Sequence, residues 1–340
     1  MKYSFIIPIY NEDELLIKKC INSIVNQKIN YEIIMINDGS SNKNTEIVCK
    51  KLQSKYKNIK YVYQNNSGSA TARNNGLKLV TGNYIVFIDA DDEIQSCFFE
   101  KIKKFSLTDI NVFDYEFIYD KSNESKKCSL KEHENLINRK DEIYSNIMFY
   151  PGKLDNFMFG SIWGKIFATD FIKKNGIKFN DNLRKSQDRL FMLNCIYMAD
   201  NINYYSIQMY KYKMNNKSIT HKFNMKMVDY YKLLYVEIEK FCKERNINND
   251  DSKFLSYNII NELLPLTIFN CDYKKKYSSI KKELKKIMNE FNFNEKLLNI
   301  HLKDVPTKKG KIKLLYYKLH FYYFLLKYFQ NLQKNDMRKM

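Results

Sequence analysis

Residues 84–92 read Tyr-Ile-Val-Phe-Ile-Asp-Ala-Asp-Asp. The apolar run Tyr84 to Ile88 has the length and composition of a buried strand, and three carboxylates then crowd into four positions. Like charges packed this closely repel unless a cation or hydrogen-bond donors compensate. A divalent cation held by one or two carboxylates and by phosphate oxygens of a substrate is one solution, because magnesium and manganese prefer hard oxygen ligands. A solvated acidic turn that caps the next helix is the other.

Working back towards the N-terminus, the same grammar recurs. A helix follows Ser69, a strand lies near Tyr61 to Tyr63, and a Lys-rich helix runs to about residue 57. The apolar run Ile33 to Ile36 ends in the turn Asn37-Asp38-Gly39-Ser40, and Leu15, Leu16, Cys20, Ile21, Ile24 and Val25 recur at helical spacing before it. The first strand, residues 3 to 8, is expected to stop at Pro8. Alternating strands and helices with crossovers of this length predict an α/β fold, a mostly parallel sheet flanked by helices. Ligands of such sheets sit beyond the carboxyl ends of the strands, where Tyr10-Asn11-Glu12, Asn37-Asp38-Gly39-Ser40 and Asp89-Ala90-Asp91-Asp92 all fall.

Further on the pattern is mixed, with a helix expected at Gln187 to Met198 and short strands near Ile162 to Phe167 and Tyr210 to Met214. From about residue 225 apolar residues recur at helical spacing among Lys, Glu and Asn, which predicts a helical C-terminal region. We place the boundary at 220: residues 1–220 are expected to form the α/β domain, in two parts, 1–100 and 100–220, and 221–340 the helical region.

Composition narrows the class. With 340 residues, 44% of them hydrophobic, and only nine glycines and four prolines, the chain can fill a core and is built from regular elements rather than linkers. A formal charge of +19 implies an anionic partner: nucleic acid, an acidic membrane or a phosphorylated substrate. Ten Lys or Arg against two acids lie in residues 301–340, so 10 − 2 = 8 of the excess charges sit there. Seven cysteines, odd in number and without a C-x-x-C pair, favour free thiols in a reducing compartment over a disulfide framework or zinc site. The N-terminus has neither a basic leader region nor a small-residue cleavage site, and a cytoplasmic protein is expected.

Small residues open a helix one turn before Arg73 in Asn65-Asn66-Ser67-Gly68-Ser69-Ala70-Thr71-Ala72-Arg73-Asn74-Asn75-Gly76, and both helix N-termini and arginine suit phosphate. Asp38 can face the same crevice as Asp89, placed to accept from a nucleobase or ribose. In order, Ile-Ile-Pro-Ile-Tyr-Asn at 6–11, Asn-Asp-Gly-Ser at 37–40, Asn-x-Gly-x-x-x-Ala-Arg-Asn-x-Gly at 66–76 and Phe-Ile-Asp-Ala-Asp-Asp at 87–92 strongly resemble the inverting family 2 glycosyltransferases of the GT-A fold, of the bacterial type that builds surface polysaccharides. The resemblance implies a nucleotide-sugar donor, usually UDP-linked, with Pro8, Tyr10 and Asp38 at the nucleobase and Glu12 nearby. It implies Asn66 and Arg73 along the donor pocket, Asp89 at the ribose and metal region, and Asp91 as ligand of a manganese or magnesium ion on the diphosphate.

Relatives often carry Glu-Asp before a helix about a hundred residues after the Asp turn, and Gln187-Asp188-Arg189-Leu190-Phe191 occupies that place. Asp188 is therefore the candidate general base towards an acceptor hydroxyl of a glycan or lipid-linked molecule, with first-turn helix acid as the alternative role. Gln187 departs from the family's Glu, which puts an accompanying acceptor contact in doubt. Ser161-Ile162-Trp163-Gly164-Lys165-Ile166-Phe167 resembles the family's Trp-x-Lys stretch, and Trp163 either stacks on the acceptor sugar or packs in the core. Residues 311–329 interleave lysines with aromatics, which suits either contact with the inner face of the plasma membrane or a packed helix with snorkelling lysines. The rival classes are a basic nucleic-acid-binding protein and a nucleotidyltransferase on a similar sheet; acids rather than bases at the strand ends oppose the former.

Overall fold

The computed structural model describes residues 1–119, 124–130, 132–148, 157–214, 223–247, 249–305 and 307–339. The chain divides into two compact units, one of residues 1–144 and 157–214 and one of residues 145–156 and 215–340. The expected boundary at 220 falls in 215–222, outside the described residues.

The first unit is a mixed α/β structure. β1 (Lys2–Ile9), α1 (Glu14–Val25), β2 (Asn30–Asp38), α2 (Lys43–Lys55), β3 (Ile59–Gln64), α3 (Ser69–Lys78) and β4 (Tyr84–Phe87) alternate as the sequence predicts. β5 (Glu93–Ile94), α4 (Phe98–Ile102), β6 (Ile110–Tyr119), β7 (Ser125–Cys128), β8 (Glu134–Asn135), α5 (Lys140–Ile147), β9 (Lys165–Ala168), α6 (Thr169–Lys174), α7 (Gln187–Met198) and β10 (Ile202–Met214) follow. Among the described residues the sheet order is β3-β2-β1-β4-β9-β6-β10-β5, with β7 on β6 and β8 on β10.

β1 to β4 are parallel throughout. β9 then inserts antiparallel to both β4 and β6, so parallel pairing resumes only between β6 and β10. Local periodicity cannot report this reversal, because a buried strand reads as an apolar run in either direction. Phe5, Ile6, Ile33, Ile34, Met35, Ile85 and Val86 are fully buried in the centre of the sheet.

Two expectations need correction. Pro8 does not stop β1: it pairs with Ile36 inside the strand. Ile6 accepts from Ile88 N–H on the β4 side, so Pro8, two residues on, turns its missing N–H to that same side, where the β1–β4 register has already ended at Ile6. The strand expected from Ile162 begins only at Lys165, because Gly164 has φ +68° and the preceding residues form a turn.

Glu32 clamps the far edge of these parallel strands. Its carboxylate accepts from Ser4 Oγ at 2.6 Å, Thr81 N at 2.6 Å and Oγ1 at 2.8 Å, and Lys60 Nζ at 3.0 Å. Burial alone would raise its pKa, but the bonds from Ser4, Thr81 and Lys60 outweigh it and bring it down to about 2. A carboxyl depressed on folding stabilises above its unfolded pKa and loses that contribution as pH falls through the folded value. Glu32→Gln is thus expected to cost roughly 2 kcal/mol at neutral pH, with the difference from the parent shrinking below about pH 4.5, as read by urea unfolding across pH.

In the second unit α8 (Met227–Glu244), α9 (Asn249–Leu266), α10 (Tyr277–Glu290), α11 (Phe293–Leu298), α12 (Lys308–Lys318) and α13 (Tyr322–Lys339) form a helical assembly. Leu234, Ile238, Ile259, Ile260, Leu263 and Leu284 are buried in its core. Ser256 Oγ donates to Phe291 O and Tyr257 O–H to Gly310 O, tying α9 to its neighbours. No described helix is long and apolar enough to cross a membrane.

Candidate active site

The carboxyl ends of β1, β2 and β4 and the N-termini of α3 and α7 supply the site. Asn11 leaves β1 at φ +51°, with its N–H on Ser40 Oγ at 2.9 Å and its Oδ1 accepting from Asn42 N at 3.0 Å, which locks the β1 and β2 loops together. Beside it Tyr10 is 49% exposed, Pro8 is half-buried, and Glu12 Oε1 accepts from Asp13 N at 2.9 Å.

Asp38, by contrast, is buried at the end of β2. Its Oδ1 accepts from Ser67 N at 2.7 Å and Gln64 Nε2 at 2.8 Å, and its Oδ2 from Gly68 N at 2.9 Å. Asn66 is exposed and donates from Nδ2 to the Asp38 carbonyl at 3.1 Å. The Asn-Asp-Gly-Ser turn and the Asn-x-Gly segment are therefore one structure: Asp38 holds the loop that starts α3. Both glycines are required. Gly39 has φ +69° and a Cβ there would meet Asn66 N at 2.5 Å, while Gly68 has φ +91° and a Cβ would meet Arg184 Nη1 at 2.2 Å. Arg184, which the sequence reading passed over, thus lays a guanidinium against the start of α3.

Arg73 projects from α3 into the crevice and is buried. Its Nη2 donates to Asp89 Oδ1 at 2.8 Å and its Nη1 to Asp188 Oδ1 at 3.2 Å. One guanidinium thereby joins the end of β4 to the first turn of α7, 115 residues apart in sequence for the Asp188 bond. Asn74, the next residue, fixes the approach to α7: Nδ2 donates to Phe179 O and Asp181 Oδ1, and Oδ1 accepts from Phe179 N. Phe179 then stacks on Phe191 of α7, with ring centroids 4.1 Å apart. Gln187 is buried and its amide donates to Ser69 Oγ, a bond that a carboxylate in its place could not donate.

Burial raises the Asp188 pKa, with Asp89 adding to the rise and Arg73 and Lys165 opposing it. Lys165 is itself buried, with Nζ donating to Ser161 O at 2.7 Å, and burial pulls its pKa down to about 7 against the opposing pull of Asp188 and Cys195.

The three carboxylates of the 89–92 turn have different environments. Asp92 is buried, accepting from Tyr210 O–H at 2.7 Å and Lys213 N at 2.8 Å. Burial, then Asp91 and Asp89, push its pKa well above the usual carboxylate range. The same Tyr210 hydroxyl accepts from Asp89 N at 3.1 Å, so one side chain of β10 sets the turn. Asp89 and Asp91 remain half-buried at its outer side.

Among the described residues no group of three or more His, Cys, Asp or Glu is arranged to hold a metal. A cation caged by protein ligands alone does not match this donor set; one that takes one or two carboxylates and fills its shell from phosphate does. Asp91 and Asp89 fit that requirement, since both are hard oxygen donors, half-buried and two residues apart in one turn.

Trp163 is 5% exposed and stacks on Tyr210 at 5.1 Å and 12°, with Tyr115 edge-on at 4.8 Å. The indole lies in the core behind the turn rather than presenting a face to an acceptor. Its place and that of Tyr210 depend on packing between distant strands, a contact no local motif announces.

An α/β sheet with carboxylates and an α3 N-terminus gathered at its strand ends is the arrangement that the resemblance to the GT-A fold predicts. Residues 4–163 match Glycosyl transferase family 2, and with the glycosyltransferase relatives this supports a transferase enzyme. The chain is 27% identical over 256 residues to the uncharacterized glycosyltransferase YibD of Escherichia coli, covering 74% of this chain and 72% of that protein. It is 30% identical over 211 residues to the poly(ribitol-phosphate) beta-glucosyltransferase of Bacillus spizizenii, covering 60% of this chain but 31% of that protein. In fold it is similar to S. aureus TarS 1-349 crystallised with UDP-GlcNAc, with a TM-score of 0.60 and 20% identity over 100% of this chain and 93% of that one.

Proposed function

We propose that this chain moves a sugar from a UDP-linked donor to a hydroxyl of a glycan or lipid-linked acceptor, with inversion at the anomeric carbon, in surface-polysaccharide synthesis. The observation that carries this reading is the Arg73 bridge, which brings Asp89 at the donor end and Asp188 at the start of α7 onto one guanidinium. The complex of TarS with UDP-GlcNAc supports the donor class, and the name of the Bacillus relative, a poly(ribitol-phosphate) beta-glucosyltransferase, supports sugar transfer to a polymer hydroxyl.

Asp188 accepts the proton of the acceptor hydroxyl as that oxygen bonds to the anomeric carbon, and the bond from that carbon to the diphosphate oxygen breaks with its electron pair leaving on the nucleoside diphosphate. Tyr10, Pro8 and Glu12 border the nucleobase, Asp38 and Asn66 shape the loop beneath it, and Arg73 keeps Asp188 oriented. Asp91 and Asp89 would hold a manganese or magnesium ion, whose chemistry is to stabilise charge on the leaving diphosphate. The reaction belongs on the cytoplasmic side, where nucleotide sugars are made.

Binding and slow hydrolysis of a UDP-sugar panel test the proposal. One sugar is expected to release UDP with manganese, at a rate that chelator abolishes and Asp91→Ala lowers roughly a hundredfold, the scale of losing one preorganised stabiliser of developing charge. Failure of every UDP-sugar to bind would overturn the donor assignment, and equal rates with chelator the metal.

A further inference from the structure

Segment 311–329 is not one helix. His320 at φ +57° breaks it, so α12 and α13 meet in a tight turn at 319–321. On α12, Lys308, Lys311, Ile312 and Leu315 are all exposed, at spacings that place them along one face, and exposed Leu319 caps the helix. The turn adds exposed Phe321, and the first turns of α13 add exposed Tyr323, Phe324 and Lys327. Phe321 and Phe324 lie 5.9 Å apart, Tyr316 touches both, and Lys327 Nζ sits 5.5 Å from the Tyr323 ring.

Six of the eighteen exposed large apolar side chains among the described residues, Ile312, Leu315, Leu319, Phe321, Tyr323 and Phe324, fall within thirteen positions, which marks this end as a contact surface rather than scattered exposure. Its charge is one-sided: residues 307–333 hold six lysines and no acid.

From this juxtaposition we infer that the α12–α13 turn docks on a bilayer surface bearing anionic lipids, with Leu315, Leu319, Phe321 and Phe324 entering the headgroup boundary and Lys308, Lys311 and Lys327 meeting lipid phosphates. An apolar face with lysines at its two ends matches that boundary on both counts. RNA would meet the lysines but leaves Ile312, Leu315 and Leu319 without a partner. A second copy would set lysine against lysine. The inference needs no transferase activity and stands apart from the proposed function.

Vesicle co-sedimentation of the full chain tests it, using phosphatidylcholine alone and phosphatidylcholine mixed with phosphatidylglycerol. The parent is expected to pellet with the mixed vesicles and at least several-fold less with the neutral ones. Leu319→Ser/Phe321→Ser/Phe324→Ser should lower the partition coefficient by roughly tenfold or more, and Lys308→Gln/Lys311→Gln/Lys327→Gln should remove the preference for the anionic lipid. All six positions are exposed, and unchanged circular dichroism and melting of the variants separate lost docking from lost folding. Equal pelleting of parent and apolar variant, no pelleting with mixed vesicles, or a concentration-dependent dimer in light scattering that the apolar variant loses would each overturn the inference.

Discussion

Asp188→Asn is expected to lower the turnover number by roughly a hundredfold to ten-thousandfold, the range a positioned general base contributes. The amide keeps an oxygen that can accept from Arg73 Nη1, so the bridge to α3 survives while the proton acceptor is lost. Titration calorimetry should therefore find UDP affinity close to the parent's while transfer to acceptor collapses. The pH profile of the parent carries the same signature. The base works only when ionised, so turnover falls as pH drops through the Asp188 pKa. Burial raises that pKa, so the acid limb is expected to lie higher in pH than for an ordinary aspartate. Parent-like turnover in Asp188→Asn would remove Asp188 from the chemistry and leave it a first-turn helix acid.

Arg73→Met is expected to damage stability and activity together. The guanidinium is 5% exposed and compensates two carboxylates that are 35% and 25% exposed. Breaking a fully buried pair costs about 3–5 kcal/mol; here water reaches both carboxylates, and roughly 2–4 kcal/mol is expected from urea unfolding. Turnover should fall by at least about a hundredfold, because Asp188 loses the donor that orients it. Arg73→Lys should recover only part of either quantity, since one ammonium lacks the planar fork that reaches both carboxylates. The double variant Arg73→Met/Asp188→Asn should be less destabilised than the sum of the singles, since neutralising Asp188 removes one of the charges left uncompensated. Additive losses would show that the bridge carries little of the coupling between β4 and α7.

The lone Asp38 shows how a correct placement can hide a different local job. At the end of β2 it was expected to offer its carboxylate to a nucleobase. In the fold three protein donors already occupy it, and its immediate effect is to shape the Ser67-Gly68 start of α3. Trp163 shows the converse, a residue that its motif left between a sugar-stacking face and the core and whose indole stacks on Tyr210.

The sequence by itself determined the strand–helix alternation through β4, the acids at the strand ends, the span of α7 and the helical character of the C-terminal unit. Each is set by local periodicity and turn chemistry, which act over a few residues. Only the tertiary structure decided the antiparallel insertion of β9, the continuation of β1 through Pro8, the meeting of Arg73 with Asp89 and Asp188, and the capture of Asp89 and Asp92 by Tyr210. Those contacts join residues from 16 to 121 positions apart, held by packing and charge compensation that no short stretch of chain encodes alone.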